Sequence, residues 1–536
     1  MIRNSDNLEH DGPLVSLIVC TYNRREYLAD ALRSAVRQRW PNLQIIVLND
    51  GGQDIADVVE PFKDARGGAL NGRGGRVEPL TLIQREENRG YAASLNEALE
   101  HAEGKYVAYL GDDDVHYPDH VERLVTALEG PTDCQVAYSN LYRTMFRLMP
   151  DGSRLAVGKV LEIRREFERF FMFYFNQALG GSLMHRRDLL DKTGPYNEKI
   201  KVLIDWDMAR RMSFFSDFLH VDNITGEYCM PEEEVSDRIS HRMRRDMNEF
   251  KAQYLMIRTS RPPKPWPKVQ DLSIIIPAGH LRPQIVHMVM TIIDKTSWPF
   301  MVYLVLPERD IAALSIDEVS HIVRPVPVAP GAPLSAMVDA GLRECEGEYV
   351  AVAPPGVRLQ DMWVERPLHA LMNSAGARQG YLLSASSGAW GALLRKGELV
   401  EARSRFPALE VRRCVEAAGI ELRRVTDQDN PLVMDDFLTT VRALETDGDW
   451  HHAQAMYQKM PELCRNELWM KDRAALALFS KGTQDAEALE LCREVNRRQP
   501  TADSLLLEAK LHRRMDRTES AVELLEQARE ILQWKA

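Results

Sequence analysis

After a polar stretch, MIRNSDNLEHDG, the chain enters LVSLIVC (residues 14–20), a short apolar run rich in β-branched residues. A near-continuous apolar run predicts a strand buried on both faces, as in a parallel sheet. TYNRREYLADALRSAVRQ follows, with Leu28, Leu32 and Val36 at helical spacing. A second run, LQIIVLND, ends in the turn signal Asp50-Gly51-Gly52. RGYAASLNEALEHAEG then reads as a helix, and KYVAYLGDDD as a strand ending in three carboxylates. Strands and helices alternating through short links predict an α/β fold with a doubly wound sheet. Such sheets bind ligands beyond the carboxyl ends of their strands, so Tyr22, Asp50 and Asp112–Asp114 are expected at one crevice.

RPPKPWPK, residues 261–268, cannot continue a helix and reads as a stiff linker. Beyond it the pattern restarts. DLSIIIPAGH echoes LVSLIVCTYN, MVYLVLPE echoes LQIIVLND, ECEGEYVAVAPPGV echoes HAEGKYVAYLGDDDV, and GALLRKGEL echoes GSLMHRRDL. This is the mark of a duplicated domain. In the second copy Pro354, Pro355 and Gly356 stand where the first has its aspartates, so the second copy has lost that charge chemistry. Towards the end, Ala453, Ala488 and Ala521 recur about every 34 residues inside helical segments. Paired helices with small residues at their crossings predict tetratricopeptide-like repeats, with a generic helical bundle as the plainer reading. The expected domains are thus 12–260, a linker at 261–268, a degenerate α/β copy at 269–430, and helical repeats at 431–536.

Composition narrows the function. The 536 residues carry 68 basic and 79 acidic side chains, a net −11, which argues against a nucleic-acid-wrapping surface or a polybasic membrane anchor. With 45% hydrophobic and 27% charged residues the chain is ordinary globular protein. Seven scattered cysteines without a C-x-x-C pair fit a reducing compartment. No apolar stretch reaches the roughly 18 residues a membrane-spanning helix needs. A cytoplasmic protein is expected.

Three adjacent carboxylates at Asp112, Asp113 and Asp114 repel one another unless a cation neutralises them. In isolation such a run is a solvated acidic turn. At a strand end within an α/β unit it predicts a site for one hard cation, Mg2+ or Mn2+, completed by water and phosphate. Asp205 and Asp207 flank Trp206 and would point differently from a helix start; an N-terminal helix carboxylate stabilised by the dipole is the plainer reading of either. SDRISHRMRRD is either a solvated basic face or a lid over phosphate in which His241 ligates metal. The aromatics of REFERFFMFYFNQALGG are expected in a core, with Gly180 and Gly181 allowing close backbone approach to a ligand.

In order, VSLIVCTYNR, VLNDGG, ENRGYAASLNEAL, GKYVAYLGDDDVHYPDH and IDWDMARR resemble the family-2 glycosyltransferases of the GT-A fold, over about residues 13–245. The resemblance implies that Cys20, Tyr22 and Asp50 line a nucleoside pocket and that Arg89 and Asn96 support the nucleotide side. It implies that Asp112–Asp114 form the D-x-D motif holding metal on the donor diphosphate. Asp205 falls where the family has its catalytic base, in preference to Asp207. One departure is Asn49-Asp50-Gly51-Gly52 in place of the family's Asp-Asp-Gly-Ser.

The expected activity is a metal-dependent, inverting transfer of a sugar from a nucleotide-sugar donor, a UDP-sugar such as UDP-GlcNAc by resemblance. The acceptor is expected to be a protein hydroxyl, Ser or Thr of a flagellin-type substrate, recruited by the helical repeats. Two alternatives stand beside it: a polysaccharide or wall-polymer glycosyltransferase whose extra domains serve homodimer formation, and a non-catalytic scaffold.

Overall fold

The computed structural model describes residues 12–63, 80–150, 153–161, 166–231, 247–314, 319–357, 359, 362–374, 376–383, 391–425, 453–455, 457, 468–482, 484–498 and 500–532. All seven residues of β1 (Val15–Thr21) and of β2 (Leu43–Asn49) are buried, which is why both runs are apolar without alternation. They pair in parallel; β3 (Thr81–Gln84) flanks β2, and β4 (Tyr106–Gly111) lies on the other side of β1. Leu28, Ala31, Leu32 and Ala35 of the helix Arg25–Val36, with Val121, Leu124, Val125 and Leu128 of the helix His120–Leu128, cover one face and close a core with Val15, Leu17, Val19, Ile45 and Val47.

The sheet then continues through longer strands. Its members are β5 (Val115–His116), β6 (Val136–Leu148), β7 (Arg154–Leu161), β8 (Leu183–Arg186) and β9 (Phe218–Pro231). The order is β3-β2-β1-β4-β8-β6-β9-β5, with β7 paired to β6, nine strands in all; β8 is antiparallel to β4. This is the α/β sheet that the pattern predicts, GT-A-like as the resemblance implies.

A second sheet repeats the plan. Its strands are β10 (Leu272–Pro277), β11 (Phe300–Pro307), β12 (Val323–Val328), β13 (Tyr349–Val352), β14 (Gln379–Leu382), β15 (Ala392–Arg395) and β16 (Glu421–Arg423). They run β12-β11-β10-β13-β15-β14-β16. The segments that echo one another in sequence occupy matching places: β10 with β1, β11 with β2, β13 with β4, and β15 with β8, the last antiparallel in both copies. Pro325 and Pro327 lie in β12, the edge strand, where a missing amide breaks no inner ladder.

The chain forms two compact units. One comprises Met1–Glu168, Asn176–Gln253 and Met434–Ala536; the other comprises Arg169–Phe175 and Tyr254–Val433. The aromatic stretch accordingly serves the second unit. Phe170 stacks on Trp298 with ring centroids 4.4 Å apart, and Phe173 meets the same indole edge-on at 5.1 Å. Phe170, Phe171, Met172 and Phe173 are buried, as expected of core, whereas Tyr174 and Phe175 are exposed.

The C-terminal region is all helical, with helices at Leu468–Lys481, Asp485–Arg498, Ala502–Arg514 and Thr518–Leu532. Ala475, Ala488, Ala509 and Ala521 are buried, small residues that let helices approach. Thr501 starts the third helix through a reciprocal cap with Ser504: each side chain accepts the other's backbone N–H at 3.0 Å. Among the described residues no helix is long and apolar enough to cross a membrane.

Candidate active site

β1, β2 and β4 end side by side. Cys20 lies opposite Leu48 and Gly111, Thr21 opposite Asn49, and the Asp50 amide donates to the Thr21 carbonyl at 2.9 Å. Asp50 is buried, and its carboxylate orders the loop that enters the helix Tyr91–Glu100. Oδ1 accepts from Arg85 Nη1 at 2.8 Å and from the Arg89 amide at 2.9 Å; Oδ2 accepts from the Gly90 amide at 2.9 Å. Arg85 is itself enclosed, donating also to Glu97 and to the Ala93 carbonyl. Gly51 closes this turn at φ +71°, where an added Cβ would sit 2.3 Å from the Glu87 carbonyl carbon, so only glycine fits.

Four other residues are expected on the nucleotide side. Cys20 is buried, and burial pushes its thiol well up, helped by Asp112 and Asp50, so it stays a protonated wall residue. The Tyr22 side chain is half-exposed. Arg89 contributes through its main chain, its side chain standing 61% exposed. The Asn96 amide pins the 196–198 segment, with Oδ1 accepting from the Tyr196 amide at 2.8 Å and Nδ2 donating to the Tyr196 carbonyl and to Glu198.

All three aspartates after β4 are buried. Asp112 accepts from Thr21 Oγ1 at 2.7 Å and from Arg24 Nη1 at 3.3 Å; the same nitrogen donates to Asp113 at 2.9 Å. Asp114 Oδ1 accepts from the Cys229 amide at 2.8 Å. Burial, and after it the Asp113 charge, push the Asp112 carboxyl up to about 6, against the opposing effects of Arg24 and Thr21. Burial thus disfavours the charged form of Asp112. Hard, acceptor-only oxygens in a buried acidic cluster suit a divalent cation. Among the described residues no three His, Cys, Asp or Glu side chains form a ready cage. Mg2+ and Mn2+ need none, since one or two carboxylates suffice when water and phosphate complete the octahedron. His241 lies outside the described residues.

Asp205 is brought to the trio by a tight turn, Gly180–Ser182. Its Oδ2 accepts from the Gly180 amide at 3.1 Å and from Asn176 Nδ2 at 3.0 Å, and its Oδ1 from the Trp206 amide at 2.9 Å. A Cβ on Gly180 would lie 3.3 Å from Asp205 Cβ, and one on Gly181 would lie 3.8 Å from Asp114 Oδ2. The Gly180 amide thus bonds Asp205, and Gly181 lies beside Asp114. Leu203, just before the helix Ile204–Met212, is left-handed at φ +55°, a costly conformation for leucine and one that sets where Asp205 emerges. Burial raises the Asp205 carboxyl above its ordinary range, partly offset by the Gly180, Asn176 and Trp206 donors.

Asp207 has a different role. It is buried, and its Oδ2 accepts from Arg211 Nε at 3.0 Å and Nη2 at 2.8 Å, an i,i+4 pair that fastens the helix. Tyr91, absent from the sequence-based set, is 40% exposed as a residue; desolvation of its hydroxyl first, and then Cys20, Asp205, Asp112 and Asp114, raise its pKa above the usual value. Arg24, Arg85 and Asn176 were likewise not singled out, because each acts through a partner distant in sequence.

Comparison with known proteins adds a family match over part of the chain. Residues 16–188 match the model of glycosyl transferase family 2. The chain is 37% identical over 119 residues to an uncharacterized glycosyltransferase of Haemophilus influenzae, covering 22% of this chain and 33% of that protein. It is 26% identical over 198 residues to the uncharacterized glycosyltransferase YwdF of Bacillus subtilis, covering 37% of this chain and 67% of that one. The matched segment thus spans only a third of the Haemophilus relative. Among solved structures, Staphylococcus aureus TarS 1-349 in complex with UDP aligns at TM-score 0.34 with 18% identity, over 46% of this chain and 64% of that chain. The mannosyltransferase PcManGT from Pyrobaculum calidifontis, in complex with GDP-Man and Mn2+, aligns at 0.32 with 20% identity, over 47% and 66%.

Proposed function

We propose that this chain is a nucleotide-sugar-dependent glycosyltransferase that transfers a sugar, with inversion, to a hydroxyl of a protein acceptor. The observation that carries the reading is the diglycine turn that joins Asp205 to the acidic trio. Asp112 and Asp114 would hold a divalent cation against the donor diphosphate, where it would offset charge on the leaving group. Cys20, Tyr22 and the Asp50–Arg85 pair would form the wall on the nucleoside side. Asp205 Oδ2 is occupied by two donors, which leaves a lone pair on Oδ1 to take the acceptor proton. As the acceptor oxygen bonds to the anomeric carbon, the bond from that carbon to the diphosphate oxygen breaks, and the proton passes to Asp205 Oδ1. One base facing one leaving group makes this a single displacement, hence inversion.

The helix pairs after residue 468 support a protein acceptor, since stacked pairs build concave surfaces suited to extended polypeptide. Ser or Thr of a flagellin-type protein is the acceptor class, and UDP-GlcNAc the donor to try first. Incubating the purified chain and Mn2+ with labelled UDP-GlcNAc and other nucleotide sugars, in the presence of candidate proteins, tests the reading. Labelled protein supports it. Polymer extension without protein labelling would favour the polysaccharide alternative, and no binding or hydrolysis of any nucleotide sugar would favour an inert scaffold.

A further inference from the structure

Beneath the diglycine turn lies a histidine that this mechanism leaves unused. His116, on β5, is 2% exposed, and its Nε2 is 2.7 Å from the Gly181 carbonyl oxygen. A carbonyl only accepts, so Nε2 carries the proton and Nδ1 is bare. That Nδ1 is buried and has no hydrogen-bond partner. A position that served packing alone would favour an apolar ring, because an orphaned buried nitrogen costs stability without return. The single hydrogen bond to Gly181 is what the imidazole adds.

The surroundings hold that ring still. His120 stacks on it, with centroids 3.7 Å apart and planes 20° from parallel. His120 Nδ1 lies 2.6 Å from Thr225 Oγ1, which lies 2.6 Å from Ser139 Oγ. The His116 amide donates to Ser34 Oγ at 3.2 Å, and the residue pairs with Gly226 of β9. At Gly226 an added Cβ would lie 3.3 Å from His116 Cδ2.

His116 stands two residues after Asp114, and Gly181 one residue after the amide that holds Asp205. We infer that His116 is a positioning residue: its Nε2–H fixes the Gly180–Gly181 turn and thereby sets Asp205 in register with Asp114. This rests on Asp205 being the base. Histidine contributes here as a rigid strut. A misplacement of about 1 Å at a reacting group is worth about 100-fold in rate, which sets the scale of the effect.

The test compares His116→Phe, which keeps the volume and loses the donor, with His116→Gln, whose side-chain amide can reach the same carbonyl. Three quantities are read on the full chain with Mn2+: turnover of UDP-GlcNAc, UDP affinity by calorimetry, and amide hydrogen exchange across residues 176–182. His116→Phe is expected to lower kcat 10- to 100-fold with KM and UDP affinity unchanged, and to speed exchange at Gly180 at least tenfold. His116→Gln is expected to restore most of both. Unchanged exchange in His116→Phe, no recovery in His116→Gln, or UDP affinity falling in step with turnover would each overturn the proposal. Asp205→Asn in the same series separates the two ideas. If it keeps full turnover, the base reading fails, and the exchange data alone then judge the strut.

Discussion

Replacing Asp112 with asparagine should stabilise the metal-free protein while abolishing its response to Mn2+. Asp112 sits at about 6 in the folded chain against 3.8 for an ordinary aspartate, because of burial first and of Asp113 second. At neutral pH that difference costs ~3 kcal/mol. Asparagine keeps an acceptor for Thr21 Oγ1 and loses only the 3.3 Å contact to Arg24, which retains Asp113 at 2.9 Å. A net gain of about 1–2 kcal/mol is expected after that loss. The sign follows from linkage. Since the folded pKa is raised, the stability tied to this group is complete below about pH 3.8 and is lost as pH rises through about 6. The cost should therefore fall by about 1.3 kcal/mol between pH 7 and pH 5, which removes most of the variant's advantage. Thermal unfolding of wild type and Asp112→Asn in chelator at the two pH values measures this directly, other titrating groups cancelling in the comparison. Adding Mn2+ with UDP should raise the wild-type midpoint and leave the variant unmoved. A variant that melts below wild type at pH 7, or one with the same pH slope, refutes the claim that burial and Asp113 penalise the Asp112 charge.

Three further outcomes are expected. Asp205→Asn should lower kcat by about 10²–10⁴ with UDP affinity unchanged, as measured by steady-state kinetics and calorimetry. Arg85→Met leaves Asp50 and Glu97 without their shared guanidinium and should cost about 3 kcal/mol in urea unfolding, with the 85–90 loop exchanging faster. Gly226→Ala would place a Cβ 2.6 Å from the Val115 carbonyl oxygen; it should separate β5 from β9 and destabilise by about 1–3 kcal/mol, read by the same unfolding assay.

Much of the architecture is readable in the chain because burial on both faces of a parallel sheet demands unbroken apolar runs. VSLIVCT and LQIIVLN are buried at every position, and their echoes after residue 270 build a second sheet in the same strand order. The acidic trio is also legible, since strand ends of a doubly wound sheet are where ligands bind. The preference for Asp205 over Asp207 rests on the resemblance, and the structure adds that Asp207 pairs with Arg211 four residues on.

Other features depend on residues far apart in sequence. Nothing local assigns Arg24 to Asp112 and Asp113, Arg85 to Asp50, or Asn176 to Asp205, because a side-chain partner is chosen by which strand ends and loops the sheet order brings together. The aromatic helix Arg169–Tyr174 serves the second unit although it is flanked in sequence by the first. The hydrogen bond of the Gly180 amide to Asp205, with Gly181 beside Asp114, likewise needs the turn, β4 and the left-handed Leu203 in place together. Periodicity records which face of an element is dry. Which dry faces and charged ends meet is settled only when the chain closes on itself.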